Sequence, residues 1–246
     1  MLVDVVLYGG EYELLRARLD YLEADYTIVV EGDRHFRGQE KGWTLEKRLH
    51  ELNQFNLLYM SIKSTEHPNP WQNEFHQRNA AMSKLHELGL SDTDIVGWFD
   101  VDEFPDAEMI RDFPQWTTWV MSKHQMSLYW YQQVEATGVS ASWAFVRDSD
   151  MANMRRQRGN LRKVNAGYHL SSMGTLDETL QKWLGFSHFE LEKPNMEFWV
   201  RGCWEDGRAI ENGHELTELN ALPEDMPDYF HQKLGPRHWY RKRRAA

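Results

Sequence analysis

The chain is predicted to fold as one α/β domain with a mixed, mainly parallel sheet flanked by helices, and three observations predict it. Leu2 to Tyr8 is an apolar, β-branched run of the kind buried on both faces of a sheet. Gly9-Gly10 breaks the run, and Tyr12, Leu15, Leu19 and Leu22 then recur at helical spacing, so residues 11–22 read as an amphipathic helix. Tyr26 to Val30 is a second apolar strand that ends at Glu31-Gly32-Asp33. Strand, helix and strand with short links form a right-handed βαβ unit, which makes its two strands parallel.

The later elements follow from local signals. Asn69-Pro70 opens a helix, with Asn as N-cap and Pro at its first position, and Gly89 ends it. Phe75, Met82, Leu85 and Leu88 are expected to form its buried face. Ile95 to Phe99 reads as a third β-element and runs straight into Asp100-Val101-Asp102-Glu103-Phe104-Pro105. Gln125 to Gln133 is an aromatic strand with Ala141 to Val146 as its partner, and Ala166 to Leu170 is a short strand carrying His169. Thr175-Leu176-Asp177-Glu178 matches a capping box, which gives Glu178 a structural task, and its helix ends at Gly185. Beyond Pro194 the chain reads as loop-rich packing. Residues 1–110 form a nucleotide-binding half, 111–193 a half that completes the metal and acceptor side, and 194–246 a C-terminal extension of the same domain.

With 246 residues, a sizeable core needs no metal or disulfide staple. The lone cysteine, Cys203, excludes an internal disulfide and a cysteine-based zinc site, and fits a reducing, cytoplasmic setting. A formal charge of −10 argues against general nucleic-acid binding. No stretch approaches the length of a transmembrane segment, and residues 1–8 lack the features of a signal peptide. Oligomeric state is not legible. The basic run Tyr240-Arg241-Lys242-Arg243-Arg244 reads as a solvated tail, or as a contact with anionic lipid or substrate phosphate.

The chemistry gathers at the acidic cluster. Side chains two apart on an extended backbone share a face, so Asp100 and Asp102 are expected to project together, roughly 7 Å apart. Ligands of open α/β sheets bind beyond the carboxyl ends of strands, and two hard oxygen donors there suit Mg²⁺ or Mn²⁺ with a phosphorylated ligand. Water, phosphate oxygens or a later histidine, His169 or His188, would complete such a site. Lys182 is a candidate cation for a leaving diphosphate, and otherwise an exposed helix lysine. Arg155-Arg156-Gln157-Arg158 is either a solvated loop or a clamp on phosphate or an acidic acceptor.

A family resemblance covers most of the chain in order. Glu13-Leu14-Leu15, Arg18-Leu19, Val29-Val30-Glu31 and Phe36 with Gly38 open it; Trp71, Glu74 and Gln77-Arg78-Asn79-Ala80 precede Asp100-Val101-Asp102-Glu103 and Pro105. Gly167-Tyr168-His169-Leu170-Ser171, Gly174, Lys182 and Phe186-Ser187-His188 with Glu190 follow, then Leu222-Pro223 and Pro227 with Tyr229. Together these motifs resemble glycosyltransferase family 17, that of the bisecting β-1,4-N-acetylglucosaminyltransferases. The resemblance implies a GT-A-like fold, an Asp-x-Asp metal site and inverting transfer from a UDP-sugar, UDP-GlcNAc being the family donor, to a glycan acceptor. It implies that Asp102, with Asp100 directly or through water, holds Mn²⁺ or Mg²⁺, with His169 as further ligand and His188 in reserve. Lys182 or Arg78 would face the diphosphate, and Glu31 would reach the ribose or base. Glu190 is the first choice for general base, with Asp148 and Asp150 as alternatives. The chain departs from the family in lacking the membrane anchor of the animal enzymes, which suits a bacterial or viral pathway, and in carrying Gln72-Asn73 and His76 where charged residues are usual. Two rivals remain: a non-catalytic carbohydrate-binding protein on a degenerate transferase fold, and a haloacid-dehalogenase-like phosphatase, which wants Thr or Val where Phe104 stands.

Overall fold

Strand β1 (Leu2–Tyr8) is buried along its whole length, as a central strand covered on both faces must be. In the computed structural model, which describes residues 1–124, 130–171 and 173–218, it pairs in parallel with β2 (Tyr26–Gly32) through helix α1 (Tyr12–Leu22). Alternate residues of β1 face opposite layers. Val6 and Tyr8 pack with Leu14 and Leu15 of α1, whereas Val3, Val5 and Leu7 pack with Ala81 and Leu85 of α2 (Pro70–Glu87).

Between β2 and α2 lies β3 (Leu57–Ile62), a parallel edge strand that sequence periodicity missed. The acidic cluster therefore follows the fourth strand, β4 (Ile95–Asp100), which pairs in parallel with the far side of β1. The order β3-β2-β1-β4 reverses direction at the β1/β4 boundary. That boundary is a topological switch point, where the carboxyl ends of neighbouring strands leave a crevice.

The second half changes the sheet. Strands β5 (Glu103–Phe104), β6 (Thr117–His124) and β7 (Trp130–Ser142) are followed by helices α3 (Trp143–Val146) and α4 (Met151–Arg156), then β8 (Arg162–His169). The full order is β3-β2-β1-β4-β7-β6-β8-β5. Pairs β1/β2, β1/β4, β2/β3 and β6/β8 are parallel, while β4/β7, β5/β8, β6/β7 and the late β7/β9 (Thr217–Glu218) pair are antiparallel. The sheet is thus mixed rather than mainly parallel, because only the first half is built of βαβ units. Asp100 ends β4 and Glu103 begins β5 at the opposite end of the strand order, so the sheet curls until its last strand meets its middle.

Other expectations shift in detail. Ala141 and Ser142 finish β7 and the following residues turn into α3, so residues 141–146 are not a separate strand. Gln125 to Tyr129 of the expected aromatic strand, the late Leu222–Tyr229 motifs and the basic run at 240–244 lie outside the described residues. Helix α5 (Leu176–Gly185) starts at the expected capping box. The region beyond Pro194 is not all loop: α6 (Met196–Asp206) packs Val200 and Cys203 against Leu180 and Trp183 of α5.

Candidate active site

A cavity of about 900 Å³ opens at the switch point. It lies within the size range of small-molecule sites. Its walls come from the end of β1 (Tyr8 to Glu11), the buried face of α2, the turn Asp100–Glu103, His169 at the end of β8, and α5.

The buried face of α2 explains much of its chemistry. Apolar spacing selects Phe75, but the side chains that turn inward at this end are Asn73, Glu74, Gln77 and Arg78. Phe75 instead lies between Trp71 and the Arg156 guanidinium. The helix is polar on its inner face because that face meets the acidic turn. Arg78 bridges Glu74 and Asp100, both at 2.7 Å. Arg155, from α4, donates to the other Asp100 oxygen at 2.6 Å and to both oxygens of Glu103 at 2.8 Å. Burial alone would raise the Asp100 pKa, but Arg155 and Arg78 outweigh it and hold the carboxyl well below its ordinary range. Arg155 is correspondingly held charged: burial opposes its charge, and Asp100 and Glu103 more than offset that cost.

Asp102 meets a different set. Its Oδ2 accepts from Lys182 Nζ of α5 at 2.5 Å, and its Oδ1 lies 3.5 Å from His169 Nε2. Lys182 is also 3.6 Å from Glu11. Burial works against both charges, yet Lys182 and His169 depress the Asp102 pKa, and Asp102 and Glu11 raise that of Lys182. The turn between the two aspartates is pinned from below. Arg18 of α1, fully buried, makes a two-pronged pair with Asp4 at 2.6 Å and donates to the Glu103 carbonyl.

Residues 1–227 match the family model described as glycosyltransferase family 17. The chain belongs to this family. No curated protein sequence matches it. As a glycosyltransferase it has a sugar donor and an acceptor as substrates, and no helix among its described residues is long and apolar enough to cross a membrane.

The sites expected from sequence divide in this glycosyltransferase. Asp100, Asp102, Arg78, Lys182, His169 and His188 all line the one cavity. Glu31 does not. It is fully buried, and its oxygens accept from Lys41, from Thr44 and Leu45 backbone N–H groups, and from the Tyr59 hydroxyl at 2.7 to 3.1 Å. Its task is to hold residues 41–45 at the end of β2, and through Lys41 and Thr44 it shapes the cavity wall. His188 follows α5 and pairs with Glu190 at 2.5 Å between Trp71 and Phe186 rather than with Asp100 or Asp102. Asp150 caps α4 by accepting from Asn153 N–H at 3.1 Å. Asp148 is 91 % exposed beside Arg147. Neither lines the cavity.

Among the described residues no three acidic, histidine or cysteine side chains converge as a metal cage. A smaller site does fit. Asp102 Oδ1 and His169 Nε2 are too far apart for a good hydrogen bond, and their 3.5 Å is close to the separation of two ligands on one hexacoordinate cation, about 3 Å. The buried Nδ1 of His169 has no partner among the described residues. Mg²⁺ commonly takes one or two protein ligands and leaves the rest to water and phosphate. Asp100, with both oxygens on arginines, does not fit as a direct ligand.

Sequence reasoning passed over Arg155 as a fixed part of the site, and with it Glu103, Glu74 and Glu11. Glu74 carried a signal in its i, i+4 spacing to Arg78. Arg155 carried none beyond its place in a basic run.

Proposed function

We propose that this glycosyltransferase moves a sugar, with N-acetylglucosamine favoured, from a UDP-sugar to a hydroxyl of a glycan acceptor, with inversion and with Mn²⁺ or Mg²⁺ as cofactor, on a GT-A-like scaffold. The observation that carries the reading is the Asp102–Lys182 pair at 2.5 Å, with His169 beside it, on the wall of a cavity at the β1/β4 switch point. The preference for a GlcNAc donor rests on the family resemblance of the motifs. Residues 1–110 supply the donor side of the cavity, and 111–193 bring His169 and Lys182 across to it. The lone, buried Cys203 is in keeping with a reducing, cytoplasmic setting.

Breaking the bond between the anomeric carbon and the diphosphate oxygen leaves negative charge on UDP. Lys182, held protonated by Asp102 and Glu11, is a fixed positive charge at that place. A cation held by Asp102 and His169 would add Lewis-acid neutralisation of the same charge. The acceptor hydroxyl attacks the opposite face and gives up its proton to a base. Of Glu190, Asp148 and Asp150, Glu190 alone touches a cavity-lining residue, His188. Although burial opposes it, the Glu190 pKa is lowered, by a backbone N–H and by His188, so the carboxylate is better suited to orienting the imidazole than to taking the proton. With Nδ1–H donated to Glu190, the His188 Nε2 lone pair is left to accept the hydroxyl proton.

The test is a thermal-shift titration with UDP, GDP, CMP and UDP-GlcNAc, each with and without Mn²⁺. A ligand that binds only the folded state raises its melting temperature. A Mn²⁺-dependent rise confined to uridine ligands is expected. The absence of a rise with every nucleotide would overturn the reading and favour a carbohydrate-binding role.

A further inference from the structure

The basic side chains of the cavity are not equivalent. Arg34, Lys41, Arg48, Arg78, Arg155 and Lys182 each hold a carboxylate within 3.0 Å. Arg158 also lines the cavity, and among the described residues it holds none. Among the described residues its side chain donates from Nη1 to the Arg155 carbonyl at 3.1 Å, and no acceptor among them takes Nε or Nη2. Its backbone is nevertheless held in place. Its own carbonyl accepts from the buried Thr118 hydroxyl of β6 at 2.7 Å, which anchors the turn between α4 and β8.

A second gap lies on the same side. Arg78 is 3 % exposed and lines the cavity, and its Nη1 is buried without a partner among the described residues. A buried guanidinium nitrogen left unsatisfied is costly and calls for an acceptor. Around Asp100, the carboxylates of Glu74, Asp100 and Glu103 are already engaged by Arg78 and Arg155, so they offer Arg158 no direct contact. Arg158 is exposed overall, but burial around its guanidinium and the neighbouring Arg155 charge work against the cation and lower its pKa, only partly offset by Glu103 and Asp100. An incoming oxyanion would pair with the Arg158 cation and give the Arg78 Nη1 an acceptor.

We propose that Arg158 and the free Nη1 of Arg78 form an anion-binding subsite on the Asp100 side of the cavity, which takes phosphate or carboxylate oxygens of a substrate. The inference rests on the reading of this cavity as the substrate site. The anion is either the donor diphosphate or an acidic group on the acceptor, and one experiment separates them. Full-length protein with Mn²⁺ is titrated calorimetrically with pyrophosphate, UDP, uridine and glucuronic acid, using wild type, Arg158→Ala, Arg158→Lys and Arg156→Ala. Arg156 stacks on Phe75 outside the cavity and controls for the lost charge.

Arg158→Ala is expected to weaken pyrophosphate and UDP about tenfold and leave uridine unchanged, with partial recovery in Arg158→Lys and no effect of Arg156→Ala. A loss confined to glucuronic acid would assign the subsite to an acidic acceptor. Equal affinities in wild type and Arg158→Ala, or no binding of any anion to wild type, would overturn it. Wild type that binds pyrophosphate through Arg158 but binds no uridine ligand would keep the subsite and overturn the nucleotide-sugar reading instead.

Discussion

Asp100 ends β4 with each carboxylate oxygen on a different arginine, Arg78 at 2.7 Å and Arg155 at 2.6 Å. Asp102, two residues on, gives one oxygen to Lys182 at 2.5 Å and turns the other toward His169 at 3.5 Å. The two halves of one short acidic motif thus do different work. Arginine forks are rigid and permanently charged, so Asp100 is a counter-ion that fixes α2 and α4 around the turn. Lysine is a compact point charge, and histidine is a ligand as well as a base. Beside Asp102 the acids outnumber the lysine, since Glu11 also faces Lys182. The proposed cation belongs to the Asp102 side and the proposed anion to the Asp100 side, where Arg158 and the buried Nη1 of Arg78 hold no carboxylate among the described residues.

The sharpest test of that division exchanges each carboxylate for its amide. Asp102→Asn is expected to lose about 10²–10³ in kcat, the usual cost of losing stabilisation of developing charge, because Asp102 orients Lys182 and would hold the cation, both of which face that charge. Its unfolding stability should also fall by about 1–3 kcal/mol, because the amide oxygen still accepts from Lys182 but no longer balances its charge. Asp100→Asn is expected to lose less than about tenfold in activity and about 1–3 kcal/mol in stability, because Arg78 keeps Glu74 and Arg155 keeps Glu103. Steady-state kinetics and urea unfolding measure both, and equal losses of activity in the two variants would erase the distinction. Arg155→Met comes next. It leaves Glu103 buried and unpaired, and should lower unfolding stability by about 3 kcal/mol; the figure is at the low end for a buried pair because Asp100 is 34 % exposed and regains water. An unchanged urea midpoint would show that the arginine clamp is not structural.

The same division marks what was legible in the chain. Elements with an apolar signature were: β1, α1, β2 and β4 fall where continuous apolar runs and helical spacing put them, and the capping box at Thr175 marks α5. The inner face of α2 was not, because hydrophobic spacing points to Phe75 and is blind to a helix face that is buried and polar. Helix α6 was hidden for the opposite reason. Its buried Met196, Val200 and Cys203 alternate with large apolar residues on the outside, Phe198 being 73 % exposed, so the period is blurred. At the site, Asp102, Lys182 and His169 were nominated by pattern and resemblance, and the fold joins them across 80 residues. Arg155, 55 residues from Asp100, belongs to a contact that no local rule encodes. Its neighbours Arg156 and Arg158, read from sequence as one basic run, end on a phenylalanine outside the cavity and on the cavity wall.

The smallest expected effect is that of pH between about 4 and 10, and it bears on both aspartates together. Each has a folded pKa below its ordinary value of 3.8, so each adds stability that is fully present above that value and is lost as pH falls through the lower, folded pKa. Lys182 has a folded pKa above its ordinary 10.5, so its contribution is fully present below 10.5 and is lost only as pH rises beyond it. These three groups should therefore add no slope to unfolding free energy measured from pH 5 to 9, and a decline should begin below about pH 4. In Asp102→Asn the alkaline loss should be smaller and complete at a lower pH than in wild type, because Lys182 keeps only Glu11 as a facing charge, whereas Asp100→Asn should leave that limb nearly in place. An alkaline limb that shifts equally in the two variants would mean that Lys182 senses the acidic turn as a whole, and that the cationic and anionic sides of the motif are not separate.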